Sequence, residues 1–196
     1  PAPWYDSRAS IQCVVMEDGV TTIGDYAFWG CSSLTSITIP EGVTTIENYA
    51  FIGCKSLTNL KLPNSLESIN YYSLAECSNL GDLVIPEGAT SIGSYAFYSS
   101  YFNSITLPDS LTQIGEYAFC TSGGIKGTFT FPKNVQHVNS GVFSMCSNLT
   151  EMIFPEGVTY ISSNAFRYCY KLTDVWFPST ITGINAQAFY GLTSSN

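Results

Sequence analysis

Few residues in this chain could do covalent chemistry. There is one histidine, His137, set in Val135-Gln136-His137-Val138. No His-Glu-x-x-His pair, nucleophile elbow or phosphate loop accompanies it, so the sequence predicts a surface histidine and no catalytic residues. Of the seven cysteines, Cys31, Cys54, Cys77, Cys146 and Cys169 stand at equivalent places along the chain, Ser99 or Ser100 and Ser122 fill that place in between, and Cys13 and Cys120 lie elsewhere. Side chains repeated in this way point in parallel, which disfavours disulfide geometry, and runs of three and two cannot pair completely. Free buried thiols acting as small hydrophobes are expected; one or two disulfides are the alternative, and no metal site is expected without a Cys-x-x-Cys. The acids Asp18, Glu41, Glu87, Asp109 and Glu156 recur beside a proline, interrupted by Asn64, Lys133 and Ser179. Turn chemistry and solubility account for them, with a calcium-binding edge as the lesser reading.

The elements that must position these residues follow from a period. Pro40, Pro63, Pro86, Pro108, Pro132, Pro155 and Pro178 are separated by 23, 23, 22, 24, 23 and 23 residues. The unit reads Leu-x-x-Ile-x-Ile-Pro-x-x-Val-x-x-Ile-x-x-Tyr-Ala-Phe-x-x-Cys, as in Leu34–Cys54. A unit this short suits one coil of a solenoid rather than a helical hairpin. Ile37 and Ile39 alternate with Ser36 and Thr38, the pattern of a strand with one buried face. Proline ends the strand, Glu-Gly supplies a turn, and Val43–Ile46 forms a second, shorter extended piece. Asp25, Asn48, Ser94, Ser140 and Ser163 are read as caps of a single helical turn holding pairs such as Ala50-Phe51. Ile23, Ile46, Ile69, Ile92, Ile114, Val138, Ile161 and Ile184 mark eight coils, and stacking them lines up apolar columns that no coil could bury alone.

Composition narrows the partners. The chain is 45% hydrophobic, 14% aromatic and 11% charged, with a net charge of −8. Its seven basic residues are scattered, so no basic stripe exists for nucleic acid. No apolar run approaches the ~20 residues of a membrane-spanning helix. A start at Pro1 suggests a piece or a processed product, so the missing signal peptide says nothing of destination.

The repeated unit, with Ile-Gly-x-x-Ala-Phe-x-x-Cys at its end, resembles the BspA-like leucine-rich repeat of secreted and cell-surface proteins from gut and oral anaerobic bacteria and some protozoan parasites. The resemblance runs from Ile11 to Leu192, and Pro3–Ile11 resembles the segment leading into the first repeat. It implies an α/β leucine-rich-repeat solenoid: a right-handed curved array of about eight 23-residue coils with parallel β-sheet and short helical turns. Residues 1–10 would be a lead-in remnant of an N-terminal cap and 11–196 a single repeat domain, cut from a longer surface protein. An anaerobic habitat would also accommodate seven free thiols in a secreted chain.

Binding is then expected on a surface. The outward columns of the main sheet are mostly small and polar until Ile153 and Trp176 come side by side, flanked by Glu151 and Asp174 and preceded by Thr128 and Thr130. An exposed Trp with an aliphatic neighbour and an acidic rim has the composition of a binding hot spot; the competing reading is that further coils cover it. A second candidate is aromatic: the column Tyr26, Tyr49, Tyr72, Tyr95, Tyr117, with Tyr98 and Tyr101 near a one-residue loss in the repeat. A one-residue gain follows around Ser122–Gly127. These readings give a non-enzymatic, cofactor-free recognition or adhesion module, secreted or on the cell surface, whose partner is a host or cell-surface protein. The alternatives are a carbohydrate-binding module or a structural spacer.

Overall fold

The structure is a computed structural model and describes residues 2–192. Sixteen strands follow one another in eight pairs, one pair to a coil. The first strands of the pairs are β1 (Cys13–Val15), β3 (Ser36–Thr38), β5 (Asn59–Lys61), β7 (Leu80–Val84), β9 (Phe102–Thr106), β11 (Lys126–Thr130), β13 (Asn148–Ile153) and β15 (Asp174–Trp176). The second, shorter ones are β2 (Thr22–Ile23), β4 (Thr45–Ile46), β6 (Ser68–Ile69), β8 (Ser91–Ile92), β10 (Gln113–Ile114), β12 (His137–Val138), β14 (Tyr160–Ile161) and β16 (Gly183–Ile184). Coil one holds β1 and β2, and coil eight holds β15 and β16. All pairing is parallel and joins equivalent strands of successive coils, as in Ile37↔Leu60 and Ile46↔Ile69. The short series runs unbroken from β2 to β10 and from β12 to β16, whereas the main series is open between β5 and β7 as well as between β9 and β11. The chain is therefore the solenoid that its period implies.

The core is a set of columns running along the array. Leu34, Leu57, Leu80 and Leu149 are buried at one place in their coils, and Val43, Leu66, Ala89, Leu111, Val135 and Val158 at another. The phenylalanine column stacks ring on ring, with centroids 5.2 Å apart for Phe28–Phe51, 5.4 Å for Phe97–Phe119 and 5.1 Å for Phe166–Phe189. Such offset stacks add to the burial of the rings themselves.

The helical turn expected around Tyr-Ala-Phe does not form. Among the described residues the only helix is the 3-10 segment Tyr5–Ser10, and each corner is a chain of hydrogen-bonded turns. The reason is a pair of left-handed residues in the corners of coils one to seven. Tyr26, Tyr49, Tyr72, Tyr95 and Tyr117 have φ between 51° and 58°, and a second positive φ follows at Gly30, Gly53, Glu76, Ser99 and Thr121. Alternate N–H groups consequently turn out of the coil. Ala27, Trp29 and Cys31 donate within it, to Gly24, Tyr26 and Phe28, whereas Tyr26, Phe28 and Gly30 donate to the carbonyls of Asn48, Ala50 and Ile52 in the next coil. The corner is thus a third ladder. The supposed caps serve it as well, because Asp25 Oδ1 accepts the Asn48 N–H (3.0 Å) and Asn48 Oδ1 the Tyr71 N–H (3.2 Å), across coils rather than along a helix.

The two slips in the repeat behave differently. Coil five, one residue short, keeps its ladders: Asp82↔Ser104 and Ile92↔Ile114 pair in register. Coil six, one residue long, does not, and neither β9 with β11 nor β10 with β12 forms a ladder. The extra residue is taken up by Gly127, at φ +66°, and by a register shift between Gly127 and Thr128 against β13.

At the first coil, the 3-10 segment brings Trp4 onto the end of the phenylalanine column. Its ring stacks on Phe28 at 5.6 Å, and its indole N–H donates to the Ala27 carbonyl at 2.7 Å. In the interior that carbonyl's equivalent, on Ala50, accepts the backbone N–H of Phe28 from the preceding coil. Trp4 supplies both the ring and the donor that a preceding coil would provide.

Candidate functional site

The parallel register places the C-terminal patch as the period implies. Glu151 pairs with Asp174 and Ile153 with Trp176, while Thr128 and Thr130 stand opposite Glu151 and Ile153 on β11. Thr128, Glu151 and Asp174 therefore form one outward column, and Thr130, Ile153 and Trp176 the next. Trp176 is 61% exposed, and Ile153 and Glu151 are half-buried beneath it.

One arrangement here was not legible in the residues. The Glu151 carboxylate accepts the Trp176 indole N–H on Oε1 (2.8 Å) and the Thr128 hydroxyl on Oε2 (2.5 Å). It ties three coils together, and it fixes the tryptophan in one orientation over the sheet. Asp174 accepts the Thr173 hydroxyl (2.8 Å) and stays exposed. An aromatic anchor held this way loses less freedom on binding than a mobile one. Next to the patch Phe177 is also exposed at the end of its column.

The tyrosine column is a continuous stack, with centroids 4.8 Å apart for Tyr26–Tyr49, 5.5 Å for Tyr49–Tyr72, 4.6 Å for Tyr72–Tyr95 and 5.0 Å for Tyr95–Tyr117. Tyr98 meets its edge near Tyr72 and Tyr95, and Tyr71, missed in the sequence although it adjoins Tyr72, packs edge-on against Tyr49, Tyr72 and Tyr95. Tyr101 does not join the stack: it is exposed and lies against Gly123, where an added Cβ would meet its ring at 2.8 Å. The column ends at Gly141, whose lack of a side chain leaves room for the Tyr117 ring; a Cβ there would sit 2.2 Å from it. Desolvation, then the neighbouring phenols of Tyr71 and Tyr95, push the Tyr72 hydroxyl up to about 12. Tyr49, Tyr72, Tyr95 and Tyr117 are half-buried, so much of each ring is committed to its neighbours.

The cysteine column has a structural explanation. Cys54, Cys77, Cys146 and Cys169 each donate S–H to a phenylalanine carbonyl of the preceding coil, at 3.2, 3.3, 3.1 and 3.0 Å. Ser100 and Ser122 make the same bond to Leu74 and Phe97 at 2.6 and 2.7 Å. The position requires a small buried donor, which is why the two residue types interchange. All seven cysteines are free, and only Cys13 is exposed. Burial pushes the Cys77 and Cys169 thiols up to about 12 and those of Cys54 and Cys146 well above the usual range, which suppresses the reactive thiolate.

The recurrent turn acids also work between coils. Glu41 accepts the N–H groups of Asn64 and Ser65 (3.2 and 3.3 Å), and Glu156 accepts the N–H and hydroxyl of Ser179 (both 3.1 Å). Among the described residues no three metal-ligating side chains come together. His137 is exposed in the short second series of strands, and no described helix is long and apolar enough to cross a membrane.

Comparison with known proteins places this geometry. The family profile described as the BspA type leucine rich repeat region matches residues 4–126 and 79–196, with six copies. Among solved structures, a leucine-rich repeat protein from Bacteroides ovatus is similar at 29% identity and a TM-score of 0.84, over 92% of this chain and 50% of that one. The T. pallidum leucine rich repeat protein is similar at 26% identity and 0.58, over 88% and 72%. The pneumococcal vaccine antigen PcpA, at 22% identity and 0.59 over 88% and 50%, shares the fold. This chain spans about half the length of the Bacteroides protein. No curated protein matches it.

Proposed function

Because the chain belongs to the BspA-type leucine-rich repeat family, we propose that it is a non-enzymatic recognition module of a secreted or cell-surface protein, binding a protein ligand through the outer face of the main sheet. The reading rests on Trp176, exposed beside Ile153 and held in place by Glu151, with Asp174 and the threonines Thr128 and Thr130 as a polar surround. A tryptophan over an aliphatic neighbour with a polar rim is the usual composition of an interface hot spot. The mechanism is reversible surface complementarity across coils six to eight. It needs no cofactor.

The test is label-free binding of the chain to extracellular matrix proteins, mucins and glycans, run beside Trp176→Ala. Saturable binding to a protein that weakens by about thirtyfold or more in the variant supports the reading, since an anchor residue contributes about 2 kcal/mol or more. Binding to a glycan alone, or binding unchanged by the substitution, overturns it.

A further inference from the structure

The long sixth coil does more than interrupt two sheets. It leaves a cleft between β10 and β12, about 470 Å³ in volume and lined by Thr112, Gln113, Asn134, Gln136, His137 and Asn139, with buried Ile114 and Val135 at its floor. Its walls carry backbone groups that pair everywhere else in the array. At the equivalent place in other coils the Thr44 carbonyl accepts the N–H groups of Glu67 and Ser68, and the Thr90 carbonyl those of Thr112 and Gln113. The Thr112 carbonyl receives neither the Gln136 nor the His137 N–H. Gly93 and Gly115 donate to Ile69 and Ile92, yet the Ile114 carbonyl is reached only by the side-chain Nδ2 of Asn139, at 2.7 Å. A second bridge, from Asn134 Nδ2 to the Asp109 carbonyl (2.7 Å), holds the far wall. The cleft is thus propped open by asparagines, and it presents the unpaired N–H groups of Gln136, His137 and Asn139 and the unpaired Thr112 carbonyl.

We infer that this cleft is a binding site for a neutral saccharide, recognised through its hydroxyl groups. The lining has no carboxylate, lysine or arginine, and the adjoining Asp109 and Lys133 are bonded to each other. His137 is the one strong metal-ligating side chain in the lining, too few for a metal site, and no cationic side chain is there to balance an anion. An extended peptide would need a longer edge than the two residues of β10 and β12 provide. Primary amides and exposed peptide groups each present a donor close to an acceptor, and vicinal hydroxyls require that combination. The volume falls within the range of small-molecule sites, about 300–1,000 Å³. This inference is independent of the Trp176 surface, since its residues lie on the other series of strands.

The test is a titration of the 15N-labelled chain with N-acetylglucosamine, lactose, maltose and mannobiose, followed by amide shifts. Gln113 and Gln136 are exposed and carry no structural hydrogen bond through their side chains, so Gln113→Ala/Gln136→Ala should fold; unchanged shifts in other coils check this. The expected result is saturable movement of the Gln136 and His137 backbone amides by at least one sugar, with affinity lowered about tenfold or more in the double variant, as polar groups left without partners predict. No movement of those amides by any of the four sugars overturns the inference. So does equal affinity in the variant, or movement confined to the Trp176 indole, which would instead bear on the main-sheet surface.

Discussion

The junction between coils two and three and the junction between coils five and six are built from the same repeat, and they hold together by different means. At the first, main strands pair as Ile37↔Leu60, short strands as Ile46↔Ile69, and corners through Tyr49, Phe51 and Gly53. At the second, only the corner ladder continues, from Tyr117, Phe119 and Thr121 to Ser140, Val142 and Ser144 (2.8–2.9 Å), aided by two asparagine bridges. The Phe119–Phe143 rings are 5.8 Å apart there, against 5.4 Å for Phe97–Phe119 before and for Phe143–Phe166 after. The corner therefore sets the alignment of coils and the strands yield. A missing residue shortens a connection and leaves the ladders closed, whereas an extra one pushes both strand series out of reach. In its backbone ladders the solenoid becomes two blocks, coils one to five and coils six to eight, joined by the corner ladder while the apolar core runs on through the junction.

The largest expected effect separates those blocks. Repeat arrays gain stability from nearest-neighbour interfaces, so the five-coil block should outlast the three-coil block in denaturant. Trp4 and Trp29 report on the first and Trp176 on the second, so a Trp176→Phe variant and a Trp4→Phe/Trp29→Phe variant should give midpoints that do not coincide. Phe97→Ala removes a fully buried ring within the first block. It should cost about 3–5 kcal/mol and shift only the transition seen by Trp4 and Trp29. A single coincident transition in all variants would show that the corner alone couples the coils fully.

An intermediate effect comes from alkaline pH. The folded Cys77 and Cys169 thiols titrate near 12, against 9.0 for an ordinary thiol, because burial disfavours the thiolate. Between these values the unfolded chain gives up protons that the folded chain keeps, so stability is intact below pH 9 and falls as pH rises toward 12. The loss is on the order of a few kcal/mol. Both blocks carry such thiols, and coils four and five, the last two of the first block, carry Ser100 and Ser122 instead. Cys54→Ser/Cys77→Ser retains the donor to the preceding carbonyl, as those serines do, and should reduce the alkaline loss in the first block while the Trp176 transition keeps it. Equal alkaline sensitivity in both blocks of that variant would mean that other groups, such as Tyr72, dominate.

The contrast between junctions also marks what the residues reveal. Proline spacing and the apolar columns specify the coils, the parallel register and the meeting of Ile153 with Trp176, because each follows from translation by one period. The corner was misread because Asn48 or Ser94 before a small-aromatic pair has the look of a helix start. Tyrosine at positive φ is uncommon and strained, by about 1–3 kcal/mol where nothing compensates, and only the neighbouring coils, through ring stacking and the N–H groups turned toward them, make it favourable. Glu151 was read as a rim charge, since nothing local says that its carboxylate spans Thr128 and Trp176. For the cleft, the signal was the 24-residue gap from Pro108 to Pro132, followed by four side-chain amides within the stretch Asn134–Asn139 and across from it at Gln113. It could be seen as an irregularity, but which ladder would open depended on the corner holding.

The smallest expected effect lies in the regular block. Ser73 occupies the place held by Ala27, Ala50, Ala96 and Ala118 in neighbouring coils, is fully buried, and leaves its hydroxyl without a hydrogen-bond partner. Burying a polar group in that state opposes folding, and alanine at the same position is already accommodated on both sides. Ser73→Ala should therefore stabilise the first block by about 1 kcal/mol and raise only the midpoint followed by Trp4 and Trp29, widening its separation from the Trp176 transition. Destabilisation would instead show that the hydroxyl makes a bond in solution and that the third ladder is reinforced at coil three by a side chain.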